Sequence, residues 1–157
     1  MDPGHRRVVE LRLPGLDGKM VSLSDIDADV ILLDFWGSWC RECRKSIEHH
    51  RELQEQFGGK KLQVIGIACE KGTFEARRDA ADAAARKLGI NYPVLVAAMN
   101  GACPVQRALQ VQFYPTMVLL DRKGQILQFE QGATDTTLGR IDRAIAAAVG
   151  GDGRRSE

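Results

Sequence analysis

Apolar residues fall along this chain in two alternating rhythms. Residues 8–23, "VVELRLPGLDGKMVSL", switch between apolar and polar positions on either side of Asp17-Gly18, a pattern that predicts a β-hairpin. "VILLDFW" (30–36) is almost continuously apolar, as expected of a strand covered on both faces. A helix is predicted over 41–57, ended by Gly58-Gly59, and a second buried strand over 62–68. The alanine-rich stretch 73–88 predicts another helix with Gly89 as its stop. A third strand follows at 92–98, then a short helix at 103–111 with Pro104 in its tolerated first turn. "TMVLLD" and "QILQFEQG" flank Arg122-Lys123-Gly124 as a closing hairpin. Leu138, Ile141, Ile145 and Val149 share one face of a final helix, predicted from near Thr134 to Gly150-Gly151.

Strands alternating with helices predict parallel β-α-β units, and the last hairpin adds an antiparallel edge. A single α/β domain over 8–149 is expected, with flexible ends at 1–7 and 150–157. The chain has 157 residues, 44% of them hydrophobic, which suffices for one proper core. Its 22 basic and 21 acidic residues leave a formal charge of +1, so neither nucleic acid nor an anionic membrane is the expected partner. No apolar run is long enough to cross a bilayer, and the N-terminus lacks the apolar stretch of a signal peptide. An exported form would need a leader or anchor outside this sequence.

Four cysteines are too few to staple a chain of this length, which points to chemistry instead. Cys40 and Cys43 are the one close pair. Structural zinc wants two such pairs, and the adjacent His49 and His50 point about 100° apart on a helix, so no metal is expected. A disulfide across three positions closes a tiny loop and restrains the unfolded chain little. A redox role suits the position better. Cys40 lies where a buried strand gives way to a helix, so its sulfur meets unpaired N–H groups and the positive end of the helix dipole. That favours the thiolate, which is the attacking species. Arg41, Arg44 and Lys45 add positive charge in the same turn, and Cys43 is placed to resolve a mixed disulfide. Such a centre carries two electrons with no cofactor.

"LLDFWGSWCRECR", followed about 70 residues later by "FYPTMVLLDRKGQI", resembles the thioredoxin superfamily. The opening hairpin and the extra helix-strand block near 73–98 resemble its TlpA/ResA-like branch. The resemblance implies a thioredoxin-like fold, with a central mixed sheet flanked by helices, the N-terminal hairpin and an inserted helix-strand block. It implies a thiol-disulfide oxidoreductase that acts on protein disulfides, is recharged by an upstream dithiol reductant and works as a monomer. An extracytoplasmic location follows from the same resemblance, with a cytoplasmic one as the alternative. Cys40 is then the nucleophile, Cys43 the resolving cysteine, and Asp34 the buried acid that moves the resolving cysteine's proton. An acid in an apolar strand has its pKa raised by burial, which suits that task. Pro115 matches the family's cis-proline, while Trp39, Tyr114 and Thr116 take substrate-contacting positions.

Some positions depart from that pattern. Ser46 and Glu48 stand where the branch usually has a glutamate and a helix-kinking proline, and His50 replaces an aliphatic residue. His50 is expected to be a partly buried, satisfied side chain, with a proton-handling role as the alternative, and Glu70 a solvated strand-end residue, with replacement of the lost acid as the alternative. In the implied arrangement Cys69 and Cys103 close neighbouring strand ends. A second disulfide between them is expected first, then a pair of buried free thiols, and last an electron relay feeding Cys40 and Cys43. A peroxiredoxin-like peroxidase and a redox-inert binding module of the same fold are the competing functions. A peroxidase centre ordinarily lacks the Cys-x-x-Cys arrangement.

Overall fold

The computed structural model describes residues 9–98 and 103–154; the terminus expected at 1–7 and the last three residues lie outside them. A short hairpin of β1 (Arg12–Pro14) and β2 (Met20–Ser22) opens the chain. A five-stranded sheet follows, made of β3 (Val30–Trp36), β4 (Leu62–Glu70), β5 (Val94–Ala98), β6 (Thr116–Asp121) and β7 (Ile126–Gln131). Its spatial order is β5-β4-β3-β6-β7. β3, β4 and β5 run parallel, and β6 and β7 add the antiparallel edge the closing hairpin predicted. The helices are α1 (Cys43–Lys61), α2 (Phe74–Leu88), α3 (Pro104–Leu109) and α4 (Asp135–Arg154). None of the helices among the described residues is long and apolar enough to cross a membrane.

Strand alternation divides the residues of β3 between two cores. Ile31, Leu33 and Phe35 face the hairpin and α3, packing with Leu11, Leu13, Val105 and Leu109. Val30, Leu32 and Trp36 face the other way, against α1, α2 and α4 through Leu53, Ile47, Ala85, Ile141 and Ile145. Each large aliphatic side chain sealed in this way contributes about 1.5–3 kcal/mol, which makes β3, buried along its whole length, a secure place to mount a side chain. Asp34 sits between Leu32 and Trp36 on the helix-covered face, also fully buried.

α2 forms as its ends predict: the Thr73 side chain accepts from the Ala76 amide at 3.1 Å, and Gly89 closes the helix in the left-handed region. Two helix ends differ from expectation. α1 starts at Cys43 rather than 41, because Arg44 and Lys45 donate to the Arg41 and Glu42 carbonyls in a tight lead-in turn. Gly58 breaks its helical geometry, with φ of 70°, where the stop was predicted, but a further turn carries the chain to Lys61. α4 runs through Gly150-Gly151 to Arg154, into the segment expected to be a flexible tail. A glycine that keeps helical φ, as Gly150 and Gly151 do, costs a helix only about 1 kcal/mol relative to alanine and retains its N–H donor, so it weakens the helix without ending it.

Candidate active site

Between the end of β3 and the start of α1 the chain must turn sharply, and Gly37 permits it. A Cβ there would stand 2.4 Å from the Trp39 indole. The Cys40 amide closes the turn onto the Gly37 carbonyl. Glu70, at the end of the neighbouring β4, fastens the loop from below. Its carboxylate accepts from the Ser38 amide at 2.6 Å and the Ser38 hydroxyl at 2.7 Å. Glu70 is therefore a buried clamp rather than the solvated residue expected, because the loop folds back over the strand end.

Cys40 and Cys43 are joined in a disulfide. Cys40 is partly exposed, whereas Cys43 is fully buried in the first turn of α1. The Cys43 amide donates to Cys40 Sγ at 3.3 Å, so the helix N-terminus delivers an N–H to the sulfur that would carry negative charge. On the other side, Cys40 Sγ lies 3.7 Å from the carbonyl oxygen of Tyr114, whose bond to Pro115 is cis. The elements flanking the motif thus bring the β3–α1 turn and the β6 entry together at one accessible sulfur.

Trp39 is about half exposed beside that sulfur. Its indole N–H donates to the Cys69 carbonyl at 2.9 Å, and its ring meets Tyr114 edge-on at 5.2 Å. The Tyr114 hydroxyl turns inward and accepts from Gln106 at 2.7 Å; burial and the neighbouring Cys69 push its pKa upward. Thr116, expected to meet substrate, is buried instead. Its hydroxyl donates to the Phe113 carbonyl at 2.6 Å and holds the loop before the proline. The exposed apolar residue there is Phe113. Only its place in "FYPT" hinted at this, since an aromatic residue alone does not reveal its exposure.

Cys69 and Cys103 are both buried and free. The bridge expected first is not formed. The Cys69 thiol donates to the Ile67 carbonyl on its own strand, 3.6 Å away, and both cysteines pack as small apolar residues under the hairpin. Burial pushes the Cys69 thiol well above its ordinary pKa, which leaves it unreactive.

Beneath the disulfide, Cys43, Ser46, Ile47 and His50 line the buried face of α1, as i, i+3, i+4 and i+7 positions must. Ser46 donates to the Cys43 carbonyl at 2.9 Å. Asp34 faces this row from β3. Burial raises its carboxyl pKa to about 8; Ser46 is near enough to oppose the rise, though the two form no well-shaped hydrogen bond. His50 is wholly buried rather than partly so, with Nε2 3.7 Å from Asp34 Oδ2 and neither ring nitrogen hydrogen-bonded to protein. Burial, then the nearby His49, pushes its pKa down to about 3. Opposite Asp34 in the strand register stands Gly66, and a Cβ there would collide with the Trp36 indole N–H and crowd the Tyr92 ring. Among the described residues, no cluster of three or more His, Cys, Asp or Glu is placed to hold a metal ion.

Comparison with known proteins agrees with this geometry. The Redoxin family model matches residues 6–149. The thioredoxin-like protein YneN of Bacillus subtilis is 29% identical over 126 residues, covering 78% of this chain and 68% of that one. A thiol-disulfide oxidoreductase ResA of Bacillus thuringiensis subsp. konkukian is 24% identical over 117 residues, of which this chain spans 63% of the length. A crystal structure from Chlorobium tepidum, described as a candidate thiol:disulfide interchange protein DsbE, superposes with a TM-score of 0.77. It shares 26% identity and covers 92% of this chain and 98% of its own.

Proposed function

The chain belongs to the Redoxin family, and from that membership we propose that it is a thiol-disulfide oxidoreductase that reduces disulfides of exported proteins through Cys40 and Cys43. The observation that carries this reading is the asymmetry of the pair. One sulfur is accessible and faces the helix N-terminus, and the other is buried one turn behind it.

In the reduced protein the Cys40 thiolate attacks one sulfur of a substrate disulfide. A mixed disulfide forms, and the first substrate thiolate leaves. The Tyr114 carbonyl and the half-exposed Trp39 flank the sulfur where an extended peptide would lie, and the exposed Phe113 precedes Tyr114 in the chain. Cys43 then gives its proton to the Asp34 carboxylate and attacks Cys40 Sγ. That releases the second substrate thiol and leaves the Cys40–Cys43 disulfide seen in the structure. A dithiol donor upstream returns the two electrons. The names of ResA and DsbE relatives support the exchange chemistry, and the resemblance to their branch supports an extracytoplasmic site of action.

Insulin reduction, equilibration against glutathione buffers and peroxide consumption together test the proposal. Turnover of insulin with a strongly reducing midpoint is expected. A midpoint at the oxidising end would reverse the direction of electron flow. Efficient peroxide consumption without insulin turnover would replace the reading with a peroxidase, and inactivity in every assay with a redox-inert binding module.

A further inference from the structure

Asp34 and His50 are the only oppositely ionising side chains facing each other in the helix-covered core among the described residues, and both are sealed from solvent. A buried polar group without a partner is costly, so two of them side by side need a physical account. An ion pair is one solution. Its two charges, removed from water, would need further hydrogen bonds to offset their desolvation, and the carboxylate oxygens and ring nitrogens here make none to protein. A neutral carboxylic acid donating to a neutral imidazole pairs Oδ2 with Nε2 and leaves no buried charge. The 3.7 Å separation reaches hydrogen-bond range with a movement of roughly half an ångström, the scale of ordinary side-chain motion.

We propose that His50 is a positioning residue of the active centre: its neutral ring accepts the proton of the Asp34 carboxyl, holds the acid protonated beneath Cys43, and so sets the pH at which Cys43 is activated. This rests on the dithiol-exchange reading above. Until the proton leaves the Asp34–His50 pair, no carboxylate is present to take the Cys43 proton, so the resolving step waits on the pair while Cys40's attack does not.

The surroundings favour the neutral form on every side. On α1, His49 meets the His50 ring edge-on at 6.1 Å and disfavours a charged His50; its own Nε2 lies 2.7 Å from Asp142 Oδ1 of α4. From β4 the Cys69 thiol, and from the segment before β5 the Tyr92 hydroxyl, would each be disfavoured as anions by an ionised Asp34. Arg51 acts on Tyr92, and Asp34's remaining neighbour Ser46 is uncharged. α2 offers only apolar side chains to this core, Ala81, Ala84, Ala85 and Leu88.

The experiment follows reduced protein mixed with Ellman's reagent across pH 5.5–9.5. Cys40 attack releases one thionitrobenzoate, and Cys43 attack on the resulting mixed disulfide releases the second. In the parent, the second phase should rise with a midpoint above the value of about 8 that burial, opposed by Ser46, gives Asp34. His50→Leu should lower that midpoint by about one pH unit, the scale of one lost hydrogen bond to a buried group, and leave the first phase unchanged. His50→Gln, which retains an acceptor oxygen, should restore it toward the parent. An unchanged midpoint in His50→Leu would make the ring mere core filling, and a raised one would make it a cation paired with carboxylate; either overturns the proposal. Should the leucine variant fail to fold, the ring ¹⁵N shifts of the parent decide: a neutral His50 from pH 5 to 8 supports it and a protonated ring refutes it. Absence of the first phase in the parent would instead refute the dithiol-exchange reading itself.

Discussion

Two buried carboxyl groups on one sheet are treated in opposite ways. Glu130, on the edge strand β7, receives a two-pronged contact from Arg140 of α4 at 2.9 and 3.0 Å, together with a hydrogen bond from Gln128. Those hydrogen bonds, Arg140's foremost, hold its pKa below the usual carboxylate range. Asp34, on the central strand β3, faces no cation, and burial lifts its pKa to about 8. The same functional group is thus a fixed anion where it ties a helix to the sheet edge, and a proton store where it lies under Cys43. A charge can be neutralised cheaply at an edge that Arg140 reaches from solvent. In the middle of the sheet no such side chain fits, and the carboxyl keeps its proton instead.

Removing each acid separates the two roles. Asp34→Asn should slow the resolving step at pH 7 by roughly 100-fold, the lower end of what a positioned base supplies, with the initial Cys40 attack unaffected. Stopped-flow kinetics of the two phases checks this. An unaltered second phase would remove Asp34 from the mechanism and erase the contrast with Glu130.

The next largest effect is on stability. Asp34 binds its proton more tightly folded than unfolded, so its contribution is fully present below the unfolded value near 4 and is lost as pH rises through about 8. Asp34→Asn should cancel that slope and stabilise the protein at pH 8 by an amount on the order of a few kcal/mol, read from urea unfolding at several pH values. Glu130 has the opposite sign: its stabilisation is present above the unfolded carboxylate value and is lost as pH falls through its depressed folded value. Glu130→Gln should cost about 1 kcal/mol at pH 7, because Arg140 is half exposed and the pair is screened. Insulin turnover should not change. A loss of turnover in this variant would show that the edge pair, too, serves the chemistry.

The fold was legible where the chain imposes one period on many residues. The unbroken apolar run of β3 and the capped alanine helix α2 each declared themselves, as did the Cys40–Cys43 spacing at a strand-to-helix junction. What escaped were the contacts between residues far apart in sequence. Glu70 becomes a clamp only because the Ser38 loop folds back on it across 32 positions. Thr116 is a local exception: its hydroxyl bonds a carbonyl only three residues earlier, a turn contact that apolar periodicity does not reveal. His50 lies on a helix face that could be read from its spacing to Cys43 and Ile47, yet its neighbour Asp34 belongs to another element and no periodicity links them. Cys69 and Cys103 could be read either way, since strand adjacency does not fix which way a thiol points.

The most direct test of the account is to trap the intermediate. Cys40→Ser and Cys43→Ser variants would be incubated with insulin under non-reducing conditions and resolved by mass spectrometry. Cys43→Ser should accumulate a covalent adduct through Cys40, because the exposed sulfur attacks and nothing remains to resolve it. Cys40→Ser should accumulate none, since Cys43 is sealed in the first turn of α1. Equal trapping by both variants, or trapping by Cys40→Ser alone, would contradict the assignment of the two sulfurs.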